Sequence, residues 1–197
     1  MSKRSQLRTQ LKTRRNALSV SEQDVASRKI AHILSKHYRV IKAKHIAVYL
    51  TNDGELSTSP FINWCWQQQK KLYLPVVHPF SQGNLLFLEY LSSTSLIKNA
   101  FGILEPVLDV TKVRPIAELD IICSPLVAFD ETGARLGMGG GFYDRTLAHW
   151  QKINTYPIGI AHDCQRVESV PIESWDIPLP EIITPNNHYN FLNNASL

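Results

Sequence analysis

Short apolar segments alternate along this chain with stretches whose apolar residues have helical spacing. The apolar segments are nearly continuous, which is typical of strands that are buried on both faces of a sheet. The predicted strands are 45–50, 71–77, 85–91, 120–129, 156–161 and 182–183, with 85–91 as an antiparallel excursion. Strands that alternate with helices predict βαβ units around a mainly parallel sheet.

Helix boundaries are marked by capping residues. Ser19 precedes Glu22 by three residues, which is a capping-box pattern, and Ser59 stands before a proline as an N-cap. The predicted helices are 3–17, 20 to about 38, 60 onward, and one from the glycine-rich segment to about 150, whereas 92–119 has no clear pattern. The length of 197 residues suits one domain. We expect a single α/β domain over 1–197, with open Rossmann-like layers, helices flanking the sheet and a basic helical N-terminus packed on it.

Positive charge is concentrated at one end. Residues 1–44 contain 12 lysines and arginines and 2 acidic residues, whereas the rest of the chain contains 9 and 15. Such an end is typical of proteins that bind nucleic acid, an anionic membrane surface or a phosphorylated small molecule, and it is also typical of a solvated helix face.

Membrane and secretion signals are not apparent in the sequence. No segment approaches the ~18 apolar residues of a membrane span, and the polar N-terminus lacks the apolar core of a signal peptide. Cys65, Cys123 and Cys164 fit neither a metal-binding pair nor a disulfide framework. We therefore expect a cytoplasmic protein with reduced thiols and no membrane partner.

Five of the 9 glycines lie between positions 133 and 141, after a predicted strand and before a predicted helix. Glycines in this position allow backbone N–H groups to surround an anion, and Arg135 and Arg145 could add contacts to phosphate. The segment is neither a Walker A loop nor a strict GxGxxG motif, since Phe142 replaces the third glycine. A tight turn that uses glycines only for packing is the alternative.

Three acidic residues are candidates for ligand binding. Asp144 lies in the first turn of the predicted helix, and Asp176 lies in a proline-flanked loop; beside phosphates, such carboxylates hold Mg²⁺. Glu55 follows the first strand, where a carboxylate could hold a heterocycle that is rich in hydrogen-bond donors. Each is alternatively a solvated or capping residue. No spacing indicates a catalytic nucleophile.

A longer pattern surrounds the glycines and includes 125–130, Gly133 and the run 135–145. It resembles the signature of the 5-formyltetrahydrofolate cyclo-ligase family, whose usual run is Arg-Leu-Gly-x-Gly-x-Gly-Tyr-Tyr-Asp. The resemblance extends along essentially the whole chain. Its outlying matches are Leu7 with Arg8, Tyr49 with Glu55, Glu105 with Pro106, Trp175 with Asp176, and Ile183 with Thr184.

This resemblance implies ATP- and Mg²⁺-dependent conversion of 5-formyltetrahydrofolate to 5,10-methenyltetrahydrofolate, with release of ADP and phosphate. We expect a monomer that binds these small molecules and no nucleic acid. Residues implied to contact ATP are Arg4, Arg8, Arg135, Gly137, Gly139, Gly140, Gly141 and Tyr143. Residues implied to contact the folate are Leu50, Glu55, Met138, Gly139, Gly140, Gly141 and Phe142. Asp144 and Asp176 are implied to bind Mg²⁺, and no catalytic side chain is assigned.

Two positions depart from the family pattern. Phe142 stands where the family usually has tyrosine, so that hydroxyl is missing, and Met138 stands at a variable position. Two other functions remain open. A nucleic-acid-binding protein with a basic end would lose affinity steeply with salt, and a non-catalytic nucleotide or folate carrier would show no turnover.

Overall fold

The computed structural model describes residues 2–192, which form five α-helices and twelve strands. The helices are α1 (Lys3–Asn16), α2 (Val20–Lys36), α3 (Tyr38–Lys42), α4 (Ser59–Gln67) and α5 (Phe142–Leu147). The strands are β1 (His45–Ala47), β2 (Lys71–Val77), β3 (Leu85–Glu89), β4 (Leu96–Lys98), β5 (Leu104–Pro106), β6 (Val113–Arg114), β7 (Ile121–Pro125), β8 (Ala128–Phe129), β9 (Arg135–Leu136), β10 (Tyr156–Ile160), β11 (Glu181–Ile183) and β12 (His188–Asn190). Within 2–192, no helix has the length and apolar character needed to cross a membrane.

The central sheet has eight strands in the order β12-β11-β10-β7-β1-β2-β3-β6. The five strands from β11 to β2 are parallel, whereas β12, β3 and β6 pair antiparallel at the two edges. The mainly parallel sheet and the antiparallel excursion at β3 are both confirmed. The strand order reverses at β1, because β2 lies on one side of it and β7 on the other.

Helices pack on both faces of the sheet, as two adjacent residues of β1 show. Ile46 packs with Ile30 of α2 and Phe61 of α4. Ala47 points to the opposite face, where it packs in the cluster that contains Leu147 of α5. Burial on two faces explains why the strand segments are apolar throughout instead of alternating with polar residues.

The predicted strand 120–129 is wrong as a single strand. β7 ends at Pro125, and β8 pairs with β9 in a separate antiparallel hairpin. In that hairpin the N–H of Val127 donates to the carbonyl of Leu136 at 2.7 Å. The hairpin therefore returns the glycine-rich segment to the carboxyl end of β7.

The helix ends follow their capping chemistry, with small shifts. The Ser19–Glu22 capping box is present, which confirms the predicted start of α2. The N-cap of α4 is Thr58, not Ser59 as predicted, because Ser59 already has helical geometry. The last predicted helix is too long, since α5 ends before His149, whose φ of −124° is not helical.

The basic helix α1 is docked on the domain through a buried arginine. Leu11 and Arg15 are fully buried. Arg15 donates from Nε to the Asp53 carbonyl at 2.8 Å and from Nη1 to the Leu126 carbonyl at 3.4 Å. The Asp53 carboxylate pairs with Lys12 at 2.6 Å. The predicted packing of the basic N-terminus is confirmed, and part of its charge is used inside the domain.

Arg15→Ala should lower the free energy of unfolding by about 3 kcal/mol, because it opens a cavity and removes the donor to the Asp53 carbonyl. Urea unfolding followed by tryptophan fluorescence measures this loss. Arg28→Ala is the control, since Arg28 is exposed and pairs with Asp24 on the helix surface; it should cost less than about 1 kcal/mol. Equal losses in the two variants would contradict the docking role of Arg15.

Candidate functional site

A cavity of about 430 Å³ lies where the parallel strands end. Tyr49 and Leu50 follow β1, Val77 ends β2, and Leu126 follows β7; all four line the cavity. Ligands of open α/β sheets bind outside the carboxyl ends of the strands, at the point where the strand order reverses. The cavity occupies that point, beside β1.

The glycine-rich segment forms one wall of the cavity and contributes Gly137, Gly140 and Gly141 to it. Gly139 and Gly141 have φ angles of +109° and +66°, which residues with a Cβ rarely adopt. Gly133 has a packing role, because a Cβ there would lie 2.6 Å from the carbonyl oxygen of Leu179. Gly133 therefore has the packing role that was the alternative, whereas Gly139 and Gly141 shape an open loop, and anion binding by this loop stays a prediction.

Three guanidinium groups surround this loop. Arg8 donates from Nε to the Gly137 carbonyl at 2.8 Å, and Arg145 donates to the Gly140 carbonyl. Arg135 lines the cavity, is buried, and pairs with Asp144 at 3.0 Å. Burial lowers the pKa of Arg8 and of Arg135, and Nε of Arg135 has no hydrogen-bond partner among residues 2–192. Because α5 has only six residues, these arginines and the loop N–H groups, more than a helix dipole, are the groups available to an anion.

The two predicted metal ligands come together from distant parts of the chain. The N–H of Ile177 donates to Oδ1 of Asp144 at 3.2 Å, which places the segment after Asp176 against α5. Both oxygens of Asp176 accept hydrogen bonds from Arg4, at 2.9 Å for Nη2 to Oδ1. Burial opposes ionisation of Asp176, but the hydrogen bond and charge of Arg4 hold its pKa below the ordinary value.

The predicted site residues divide into those that line the cavity and those that lie outside its wall. Those that line the cavity are Leu50, Glu55, Arg135, Gly137, Met138, Gly140, Gly141, Phe142, Tyr143 and Asp144. Those outside its wall are Arg4, Arg8, Gly139 and Asp176. Within the second group, Arg8 contacts the glycine loop at Gly137, and Arg4 pairs with Asp176. Burial raises the pKa of Tyr143, so its hydroxyl stays protonated.

Glu55 is a carboxylate in a largely apolar cavity. Its Oε2 accepts a hydrogen bond from the N–H of Asn52 at 3.1 Å. Burial raises the pKa of Glu55 to about 7, although the charge of Arg15 and this hydrogen bond favour the ionised form. Its charge near neutral pH therefore depends on what occupies the cavity.

The segment without a clear sequence pattern supplies further cavity residues. Asn99 and Phe101, from the turn between β4 and β5, and Glu105 of β5 line the cavity. Glu105 accepts hydrogen bonds from the N–H of Val77 at 3.2 Å and from Asn99 at 2.9 Å, and Phe101 packs edge-on against Phe142 at 5.8 Å. Sequence reasoning did not assign these residues to the site; the only signal was Glu105 in the outlying family matches.

A model of the 5-formyltetrahydrofolate cyclo-ligase family matches residues 1–185. The chain belongs to this family. The Escherichia coli K12 5-formyltetrahydrofolate cyclo-ligase is 51% identical over 176 residues, which cover 89% of this chain and 97% of that protein. The Haemophilus influenzae enzyme of the same name is 48% identical over 181 residues, covering 92% and 97%.

Solved structures agree with this membership. The NMR structure of the Aquifex aeolicus 5,10-methenyltetrahydrofolate synthetase superposes with a TM-score of 0.83 at 31% identity and covers 98% of this chain and 95% of that one. A Mycoplasma pneumoniae 5,10-methenyltetrahydrofolate synthetase has the same fold, with a TM-score of 0.74 at 24% identity, and covers 94% of this chain and 100% of that one. The resemblance seen in the sequence and the predicted fold class are confirmed.

Glu55→Gln should make stability less dependent on pH. The folded-state pKa of Glu55 is raised from 4.5 to about 7, so its contribution to stability is complete below pH 4.5 and is lost as pH rises to 7. The free energy of unfolding of the unsubstituted protein, relative to Glu55→Gln, should fall across this range by up to about 3 kcal/mol. Urea unfolding at several pH values measures the difference. Glu168→Gln, at an exposed position, is the control. A free-energy difference from the unsubstituted protein that is as independent of pH for Glu55→Gln as for Glu168→Gln would contradict the burial of the Glu55 charge.

Proposed function

We propose that this protein is a 5-formyltetrahydrofolate cyclo-ligase that uses ATP to close the folate ring to 5,10-methenyltetrahydrofolate, releasing ADP and phosphate. The observation that carries the proposal is the junction of an apolar cavity with a glycine loop ringed by arginines at the β1 switch point. The cavity suits a heterocycle, and the loop suits a triphosphate. The two meet at Gly140 and Gly141, where the reacting groups of both substrates can lie together.

The folate ring is proposed to occupy the cavity between its apolar walls. Leu50, Met138 and Phe142 supply contact surface, and Glu55 accepts hydrogen bonds from N–H groups of the heterocycle. Phe142, in place of the usual tyrosine, contributes its ring and no hydroxyl. Its contact with Phe101 fixes the ring at the cavity mouth.

The reaction needs positioning and charge neutralisation more than a protein nucleophile. The formyl oxygen attacks the γ-phosphorus of ATP, and the bond from that phosphorus to ADP breaks. The nitrogen at position 10 then attacks the formyl carbon and releases its proton to solvent, and phosphate leaves with the former formyl oxygen as the ring closes. Arg8 and Arg135 are the proposed partners of the phosphate charge, because Arg8 contacts the glycine loop and Arg135 lines the cavity.

The residues around the loop fit a Mg²⁺ ion. Mg²⁺ typically takes one or two carboxylates together with phosphate oxygens and water. Asp144 accepts hydrogen bonds at Oδ1, and within residues 2–192 its Oδ2 accepts none. Asp176 is held by Arg4, so we propose that Arg4 transfers its hydrogen bonds to the nucleotide when Asp176 serves the metal. When bound, the ion would neutralise charge on the transferring phosphoryl group.

The remaining proposals concern the state of the whole protein. We propose that it acts as a cytoplasmic monomer of one domain over residues 1–197, without nucleic acid or membrane partners. The use of Arg4, Arg8 and Arg15 inside the domain supports this, because their charge is already directed to Asp176, the glycine loop and Asp53. Light scattering tests the monomeric state. A salt titration with RNA tests the absence of a nucleic-acid partner.

The activity is tested by mixing the protein with 5-formyltetrahydrofolate, ATP and Mg²⁺ and following the near-ultraviolet band of the methenyl product. An ATP-dependent rise that EDTA removes is expected. Binding of both substrates with no rise would favour the carrier function instead. An enzyme-free sample at the same pH corrects for spontaneous cyclisation.

Asp144→Ala should lower kcat at least roughly 100-fold, because it removes both a metal ligand and the partner of Arg135. Circular dichroism and the melting temperature check that the variant is folded. Glu168→Gln should keep full activity, since Glu168 is exposed and outside the site. Near-normal turnover by Asp144→Ala would remove Asp144 from the proposed site.

Gly139→Ala should raise KM for ATP by roughly tenfold or more, since φ of +109° at this position strains any residue with a Cβ. Gly102→Ala is the matched control. Gly102 also has a positive φ, of +75°, but a Cβ there would meet no other atom within 4 Å, and it is outside the glycine loop. Both variants should lose similar stability, while only Gly139→Ala should weaken ATP use. Equal KM values for ATP would mean that the loop conformation does not serve the nucleotide.

A further inference from the structure

A cluster of metal-ligating side chains, His37, Glu181 and His188, lies outside the cavity wall. Nε2 of His37 is 2.8 Å from Oε1 of Glu181, and Nε2 of His188 is 2.5 Å from the same oxygen. One ligand atom from each of the three residues lies within 4.8 Å of the other two. Glu181 begins β11, whereas the proposed active site lies beyond the carboxyl ends of the parallel strands. The cluster is therefore separate from that site.

The carboxylate at the centre of this cluster is buried. Glu181 is 1% exposed and His37 is 8% exposed, whereas the side chain of His188 is 46% exposed. Burial opposes ionisation of Glu181, but the hydrogen bond and charge of His37, with the charge of His188, hold its pKa below the ordinary value. A buried anion therefore faces two imidazoles, and one of these reaches solvent and provides a path for an ion to enter.

One polar atom of this cluster lacks a hydrogen bond within the described residues. Within residues 2–192, Nδ1 of His37 is buried without a hydrogen-bond partner. The two Nε2 atoms face Oε1 of Glu181 as hydrogen-bonding partners, and a bound cation would displace their protons, because metal ligands must be deprotonated. His37 would then carry its ring proton at Nδ1. The two ring nitrogens and the carboxylate oxygen would together hold one cation.

We propose that His37, Glu181 and His188 bind one divalent transition-metal ion, and that Zn²⁺ fits the set best. Two imidazole nitrogens and one carboxylate oxygen, with water in the fourth position, form a tetrahedral zinc set, whereas Mg²⁺ prefers oxygen ligands. Donors at ~2.0–2.1 Å from zinc stand about 3.3 Å apart in a tetrahedron. Each imidazole would therefore withdraw from Glu181 by less than about 1 Å. The ion would join the end of α2 to β11 and β12.

The test is metal titration of the full, untagged chain after treatment with EDTA and dialysis. Calorimetry with Zn²⁺ and visible absorption with Co²⁺ should both give one site per chain. His188→Ala should weaken that site at least roughly tenfold, because even outer partners of metal ligands contribute this much. Because the side chain of His188 is partly exposed, this variant should remain folded, which circular dichroism checks.

Two control variants distinguish Zn²⁺ binding at this site from Zn²⁺ binding elsewhere on the protein. His32→Ala removes an exposed histidine on the same helix and should bind like the unsubstituted protein. Asp144→Ala should also retain the site, which distinguishes it from the proposed Mg²⁺ position. As a second readout, Zn²⁺ should raise the melting temperature of the unsubstituted protein and of both controls, but not of His188→Ala. Equal Zn²⁺ binding by the unsubstituted protein and His188→Ala, or no binding by either, would overturn the proposal and leave a hydrogen-bonded triad only.

Discussion

The reversal of strand order at β1 is the constraint on which the site depends. Because β2 and β7 lie on opposite sides of β1 and run parallel to it, the segments that leave these strands diverge and open a crevice. The β8–β9 hairpin then brings the glycine loop back over this crevice. Without that return, the loop and Glu55 would lie on separate parts of the surface.

Two carboxylates, one in this crevice and one outside it, differ in the direction of their pKa shift. Glu55 faces apolar walls, and burial raises its pKa to about 7. Glu181 is more completely enclosed, yet its two histidines keep its pKa below the ordinary value. The two pKa values shift in opposite directions because of the partners. Glu55 accepts a backbone hydrogen bond from Asn52, whereas Glu181 has two imidazoles within 2.8 Å. Glu55 is therefore free to respond to a ligand, whereas Glu181 is a stable anion.

The sequence predicted correctly those strands and helices whose patterns lie within a few consecutive residues. Buried strands such as β2 and β10 are continuous apolar runs, and the Ser19–Glu22 capping box marks a helix start within four residues. The prediction was wrong where one apolar segment is divided between two strands that belong to different sheets. The apolar residues of 120–129 are buried throughout, but β7 is buried in the central sheet and β8 under α1, and burial alone does not distinguish the two positions. The cavity residues of 92–119 were missed because β4 and β5 are short and, within residues 2–192, pair with each other and with no other strand.

The sequence alone determined the α/β class, the family and the chemical types gathered in 135–145, since each depends on residue order and on short-range spacing. Tertiary structure alone decided which of these residues meet. The pairing of Arg4 with Asp176, the burial of Arg15 against Asp53 and the assembly of His37 with Glu181 and His188 all join positions far apart in the chain. Such contacts have no periodicity in the sequence, because the packing of helices on the sheet, and not the local backbone, sets their distances.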